Sequence, residues 1–326
     1  MRYMFWNIRG CGHGGRRTQL REYMVKEHID VVALQETIKS DFTFRELLAY
    51  DPLQRFEWQW VPSVGHSGGI LLGCNKDVCD VLHWDVGVFL LSATIKHRVS
   101  GLSWVVVCVY GPADHSRSPA FLLELTNLVG AKRAINLPMV VGGDFNLIRS
   151  GADKNNANID WTRVSLFNNA IAAAALREAA RTGARYTWTN KQMQPVRSVL
   201  DRVFFTPEWE VLFPMCSLVA ETRIGSDHVP LIFSSGEELI RRSPRFYFET
   251  AWFEAEGFAQ MVVERWGVIC AHLGPQRGPA ECWVAAAGKL RAYLCGWGAN
   301  HGSESKKERA RIVETISLLD MEADRR

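Results

Sequence analysis

The sequence predicts an α/β fold in which two β-sheets pack as a sandwich with helices on the outside. Two observations lead there. Short strand-like runs recur along residues 1–235, with far fewer helical stretches between them than a strict strand-helix alternation needs. The chain has 326 residues, 47% of them hydrophobic, enough to bury a large core and to form one large or two medium domains.

In chain order, strands are expected at residues 3–8, 31–35, 57–62, 69–73, 88–96, 104–110, 139–142, 186–188, 201–205 and 229–233. Helices are expected at 16–27, 119–134 and 163–181, the last containing AIAAAALREAA, which is rich in strong helix formers. After about residue 236 the texture changes. RRSPRFYFETAWFEAEGFAQMVVERW mixes aromatic and acidic residues, GPQRGP breaks the chain at 274–279, and the remainder is helix-like. The last segment sets Ile312, Ile316 and Leu319 at helical spacing amid dense charge, the pattern of an exposed amphipathic helix. The expected domains are therefore 1–235 and a helical extension, 236–326. No internal repeat or low-complexity tract is visible.

Composition narrows the function classes. A net charge of +3 and a pI near 8.4 permit a polyanionic partner without requiring one. The eight cysteines contain no CxxC pair, and Cys74 and Cys108 sit inside apolar runs. That usage points to free thiols in a reducing compartment, with no disulfide-linked partner and no zinc site. The N-terminal MRYMFWNIRG has no signal-peptide pattern, and no apolar run is long enough to span a bilayer. An intracellular protein of the nucleus or cytoplasm, without a membrane partner, is expected.

Several strand-like runs end in polar residues that packing does not require. The first ends at Asn7, the second at Gln35 and Glu36, VVVCVY at Tyr110, and VVGGDFN at Asp144 and Asn146. Asp201 opens DRVFF, and Ser226, Asp227 and His228 precede VPLIF. In extended chain, residues two apart share a face, so Asp144 and Asn146 are expected to point together while Phe145 enters the core. Taken singly, each has an ordinary explanation: an Asx-turn, a surface ion pair between Asp201 and Arg202, or plain loop sequence. Taken jointly, they bring oxygen ligands and proton carriers to the ends of many strands. Such a set suits a hard divalent cation such as Mg²⁺.

The ordered motifs WNIRG, LQET, SGGILLG, VYGP, GGDFN, LDR and SDHVPL resemble the endonuclease/exonuclease/phosphatase superfamily over nearly all of residues 1–235. The wording is nearest to the apurinic-like endonuclease domain of plant LINE-type (non-LTR) retrotransposons. WNIRGCGHGGRR, GGDFNLIRSGADKNN, YTWTN and FYFETAW carry that likeness. The resemblance implies a four-layer αββα sandwich with the active site across the shared edge of the sheets. It also implies that a reverse transcriptase would follow the C-terminal helix. The chain ends first, and so resembles a truncated or freestanding copy.

The resemblance further implies a role for each matching residue. Glu36 would be the principal Mg²⁺ ligand, supported by Asn7 and Asp227, with Mn²⁺ as a substitute. Asp144 would orient and deprotonate the attacking water, and Asn146 would hydrogen-bond the phosphate or that water. His228 would contact the scissile phosphate, Asp201 would hold its imidazole, Tyr110 would hydrogen-bond the phosphate, and Ser226 would support them. The partner would be DNA, nicked to leave 3′-hydroxyl and 5′-phosphate ends.

One position departs from the pattern. Abasic-site repair enzymes of the superfamily carry an acid two residues after the first-strand Asn, where this chain has Arg9. Target nicking is therefore expected over repair, with Arg9, Arg16 and Arg17 as candidate contacts to the DNA backbone. His13, His66 and His115 have no metal-ligand spacing and are expected at the surface. The basic KKERAR at 306–311 is expected to be a solvated helix face rather than a nucleic-acid contact. Two alternatives stay open: a same-fold phosphatase or phosphodiesterase acting on a small-molecule, lipid or RNA substrate, and an inactive retrotransposon-derived fragment.

Overall fold

In a computed structural model the described residues are all except 13, 66, 237–247, 249, 274–277, 301, 302 and 326. His13 and His66 therefore lie outside them, as does most of GPQRGP. The chain forms two compact units, one made of Met1–Leu239 with Ile316–Arg326 and the other of Ile240–Thr315.

The first unit begins with β1 (Arg2–Asn7), α1 (Gly14–Lys26), β2 (Val31–Gln35), α2 (Phe44–Tyr50), β3 (Phe56–Val64) and β4 (Ser67–Asn75). It continues through β5 (Cys79–Val86), β6 (Leu90–His97), β7 (Ser103–Tyr110), α3 (Ser118–Arg133), β8 (Met139–Asp144) and α4 (Trp161–Ala173). Then follow β9 (Arg177–Glu178), β10 (Arg181–Gly183), β11 (Trp188–Thr189), β12 (Arg197–Ser198) and β13 (Asp201–Phe205). The unit's remaining elements are α5 (Pro207–Leu212), β14 (Ser217–Ala220) and β15 (Leu231–Ser234).

These strands build a seven-stranded sheet, β10-β14-β15-β1-β2-β4-β3, and a six-stranded sheet, β5-β6-β7-β8-β13-β9. Both are mixed: β1–β2 and β7–β8 are parallel, whereas β2–β4 and β8–β13 are antiparallel. The αββα sandwich expected from the sequence is thus present.

Alternation explains why so many strands are apolar along their whole length. Tyr3 and Phe5 of β1, with Trp104, Val106 and Cys108 of β7, enter the core between the sheets. Met4 and Trp6 face the opposite way, joining Leu20 and Met24 of α1. Val105, Val107 and Val109 meet Phe121, Leu125 and Val129 of α3, with Phe167 and Ile171 of α4 beside them. Sheets covered on both faces need apolar side chains at every position.

Each of the two glycines of VVGGD has a neighbour too close for a side chain. A Cβ on Gly142 would lie 2.7 Å from the Phe5 ring of the other sheet. At Gly143, φ is +138° and a Cβ would lie 2.2 Å from the Val109 carbonyl oxygen.

Several local expectations are corrected. The helix expected to 181 stops at Ala173, after which Ala175 adopts φ +49° and β9 begins. Alanine-rich sequence favours a helix, but pairing of Glu178 with Phe204 and burial of Leu176 and Ala179 override that local preference. β5 and α2 were not anticipated; the exposed edge strand β5 alternates buried and exposed positions only loosely. His115 lies partly exposed in a 3₁₀ turn.

The second unit contains α6 (Phe258–Ala271), α7 (Pro279–Asn300) and the start of α8 (Ser303–Arg325). Its small core gathers Trp252, Phe258 and Leu294, with Trp297 against Phe258 at 4.8 Å between ring centroids. No disulfide links any of the eight cysteines. No helix among the described residues is long and apolar enough to cross a membrane.

Candidate active site

Strand register assembles the site. Tyr110 pairs with Asp144 across β7–β8, and Asp144 with Asp201 across β8–β13, so three polar residues share one rung of the six-stranded sheet. On the other sheet Asn7 pairs with Gln35 at the ends of β1 and β2, with Glu36 one residue further on. The two rims are joined by Asn7, whose Nδ2 donates to Asp144 Oδ2 at 2.9 Å and to Glu36 Oε2 at 3.1 Å. Its Oδ1 accepts from the Arg9 N–H at 3.2 Å. Two neighbouring carboxylates demand the NH₂ side of this buried amide.

Arg9, Glu36 and Asn146 all adopt left-handed backbone, with φ of 53°, 53° and 51°. Such residues cost about 1 kcal/mol or more each, and turns of this kind aim a side chain off the end of a strand. They also alter one expectation. Asp144 is the last strand residue, and Asn146 is set by a turn rather than by alternation along an extended chain. Its N–H binds Asp144 Oδ1 at 2.9 Å and its Nδ2 donates to the Gly111 carbonyl at 2.8 Å. Phe145 is fully buried, as expected.

One half of the site is sealed. Asp144, Asp201 and His228 are each at most 3% exposed at the side chain. His228 Nδ1 lies 2.9 Å from Asp201 Oδ2, while Nε2 lies 3.9 Å from Asp144 Oδ2. Burial opposes the imidazolium, but Asp201 and Asp144 overcome it and raise the His228 pKa to about 9. Burial also pushes the Asp144 carboxyl up to about 7, with Asp201 adding to the rise and His228 and Asn7 opposing it. Ligand atoms of these three residues fall within 4.8 Å of one another, a spacing that would fit a metal ion. Asp201 holds the ring at Nδ1, and the raised pKa favours the imidazolium, an arrangement suited to moving a proton.

The other half reaches solvent through Arg9. Arg9 Nη1 lies 2.9 Å from Glu36 Oε1 and its Nε 3.1 Å from Asp227 Oδ1, and the Arg9 side chain is 47% exposed. Glu36 and Asp227 hold the guanidinium charge firmly enough to raise its pKa despite the burial that opposes it. The two carboxylates offer oxygen donors of the kind that suit a hard divalent cation, and the guanidinium places a positive charge between them. Tyr110 sits against Glu36 and Asp144, and burial followed by those charges pushes its phenol pKa up.

The remaining predicted residues divide. Ser226 accepts from the His228 N–H at 3.1 Å and donates to the Asn7 carbonyl at 2.8 Å, tying the two halves together. Arg16 is committed to backbone carbonyls of Gly225 at 3.0 Å and Gly10 at 3.1 Å, and also contacts that of Arg9. Arg17 is half-buried near Tyr50. Neither joins the cluster.

Sequence reasoning missed two contributors within YTWTN. Thr187 Oγ1 accepts from the N–H groups of Leu200 and Asp201 at 2.9 and 3.0 Å, fixing the start of β13. Trp188 donates from Nε1 to Asp227 Oδ2 at 3.1 Å. Only the motif itself signalled them, because neither residue type announces a polar site.

The sandwich and the carboxylates, amides and imidazole gathered across its rim define a hydrolase of the two-sheet α/β kind. The chain belongs to the Endonuclease/Exonuclease/phosphatase family, whose model matches residues 4–228. Members of this family are nucleases and phosphatases, typically dependent on divalent metal.

Among solved structures, the endonuclease domain of TRAS1, a telomere-specific non-LTR retrotransposon, is similar with a TM-score of 0.56. Identity is 14%, over 74% of this chain and 99% of that one. The 3′ phosphatase NExo from Neisseria, bound to a product DNA hairpin, gives 0.57 at 17% identity over 72% and 98% of the two chains. The AP endonuclease LMAP from Leishmania major gives 0.57 at 13% identity over 71% and 86%. No curated protein matches the sequence closely enough to count as a relative.

Proposed function

We propose that the protein is a Mg²⁺-dependent DNA endonuclease that nicks one strand to leave 3′-hydroxyl and 5′-phosphate ends, as in LINE target-site cleavage. The observation that carries this reading is the pairing of a buried Asp144 with an imidazolium held by Asp201, next to the Glu36–Asp227 carboxylates. The likeness to a retrotransposon endonuclease domain and to a nuclease-fold protein bound to DNA supports the choice of substrate. Residues 1–235 are read as the catalytic domain and 236–326 as the extension.

Asp144 accepts a proton from water in line with the scissile phosphorus. Its raised pKa makes it a better base than an ordinary carboxylate at neutral pH. Asn7 and Asn146 hold the carboxylate through one hydrogen bond on each oxygen. His228 presents its free Nε2–H to a phosphoryl oxygen, and Asp201 keeps the ring charged and correctly turned. Tyr110 adds a phenolic donor on the same rung. A divalent cation bound by Glu36 and Asp227, with Asn7 beside them, would supply Lewis-acid stabilisation of developing negative charge.

The test is relaxation of supercoiled plasmid in Mg²⁺ by the parent, Glu36→Ala and His228→Ala proteins. Nicked circles from the parent and a loss of 10²-fold or more in both variants are expected. Equal nicking by all three overturns the site. No nicking, with phosphate released from a small phosphoester instead, moves the protein to the phosphatase branch of its family.

A further inference from the structure

We propose that Arg9 is a built-in competitor of the divalent cation: its guanidinium holds Glu36 and Asp227 together until a metal ion displaces it. The inference rests on the reading of those carboxylates as cation ligands. Three structural observations carry it. The guanidinium touches both carboxylates at once, at 2.9 Å to Glu36 and 3.1 Å to Asp227, occupying an oxygen of each. A second bond, Nη1 to Glu36 Oε2 at 3.2 Å, leaves neither Glu36 oxygen without a partner, since Oε2 also accepts from Asn7. A metal ion bound there would need the same lone pairs at much shorter range, and the guanidinium charge opposes it until the side chain moves away.

The third observation is mechanical. The Arg9 backbone is pinned, its N–H on Asn7 Oδ1 and its carbonyl on Arg16. Its side chain is half exposed, so rotation about side-chain bonds alone can carry the guanidinium into solvent. Asp227 keeps a separate partner on its other oxygen, the Trp188 indole, and stays in place when Arg9 leaves. The carboxylates are thus held near their working positions without metal, and metal affinity is reduced by the strength of the internal ion pairs.

Direct binding of Mn²⁺, measured by loss of the free-ion electron paramagnetic resonance signal, tests this on the full chain. Arg9→Gln is expected to bind Mn²⁺ at least tenfold more tightly than the parent, with a larger metal-induced rise in Tm at equal Mn²⁺ concentration. Glu36→Gln is expected to abolish the binding in both backgrounds, and Arg9→Lys to fall between parent and Arg9→Gln. Equal Mn²⁺ affinity in the parent and a folded Arg9→Gln protein overturns the competition while leaving the metal reading intact. Absence of Glu36-dependent binding in every protein overturns both.

Discussion

The two halves of the site solve opposite problems. Asp144, His228 and Asp201 are sealed inside the sandwich and hold one another's charge, whereas Glu36 and Asp227 are paired with Arg9, whose side chain is 47% exposed. In the sealed half a charge is held by packing and cannot be exchanged without breaking a buried ion pair. In the open half a charge is held by a flexible side chain that water and ions reach. A proton carrier benefits from the first arrangement because its pKa must stay shifted. A cation site benefits from the second because its occupant must come and go.

The sharpest way to break this comparison is Asp144→Asn. Cleavage is expected to fall by roughly 10³-fold, the scale of a lost general base, while Tm holds or rises at pH 8. The sign follows from the pKa. An acid whose folded-state pKa is raised to about 7 binds its proton more tightly when folded, so stability falls as pH climbs through that range. Removing the charge relieves that penalty. A large fall in Tm would show that the carboxylate is structural.

Next comes His228→Gln, which strands two buried carboxylates beside each other. A loss of about 3–5 kcal/mol in denaturant unfolding is expected, as for other broken buried pairs. Arg9→Gln should lose less, about 1–3 kcal/mol, because the guanidinium itself is 47% exposed although its partners Glu36 and Asp227 are only 9% and 14% exposed. Equal losses would erase the distinction between the halves.

The pH profile of cleavage gives a smaller effect. Activity should decline below about 7 as Asp144 protonates and above about 9 as His228 loses its proton, leaving a plateau between. A profile flat from pH 5 to 10 would remove both groups from the proton chemistry. Smallest of all, Trp188→Phe deletes one hydrogen bond to Asp227 and should cost about 1 kcal/mol of stability, read as a modest fall in Tm.

Much of the sandwich was legible because doubly covered strands leave an unbroken apolar signature, as in the WVVVCV of β7. The polar residues that end such runs were legible for the same reason: Asn7, Asp144 and Asp201 interrupt a pattern that packing alone would continue. Where the signal was purely local it misled, as in the alanine-rich segment after Ala173, whose fate is decided by pairing with β13. The role of Arg9 was illegible for a related reason. A residue in a left-handed turn belongs to no period, and its partners lie 27 and 218 positions away in sequence, as the pairings Arg9–Glu36 and Arg9–Asp227 show.

The rung formed by Tyr110, Asp144 and Asp201 has one more consequence. Because adjacent strands index these three residues against one another, connections that contribute no residue to the site carry no positional information for them. A turn such as the one between β6 and β7 can gain or lose residues without moving the site, whereas one residue inserted inside β8 would rotate every later side chain to the opposite layer. Such a molecule can let its loops drift almost freely over evolutionary time. Its catalytic address is written in ladder counts, which survive when the letters around them change.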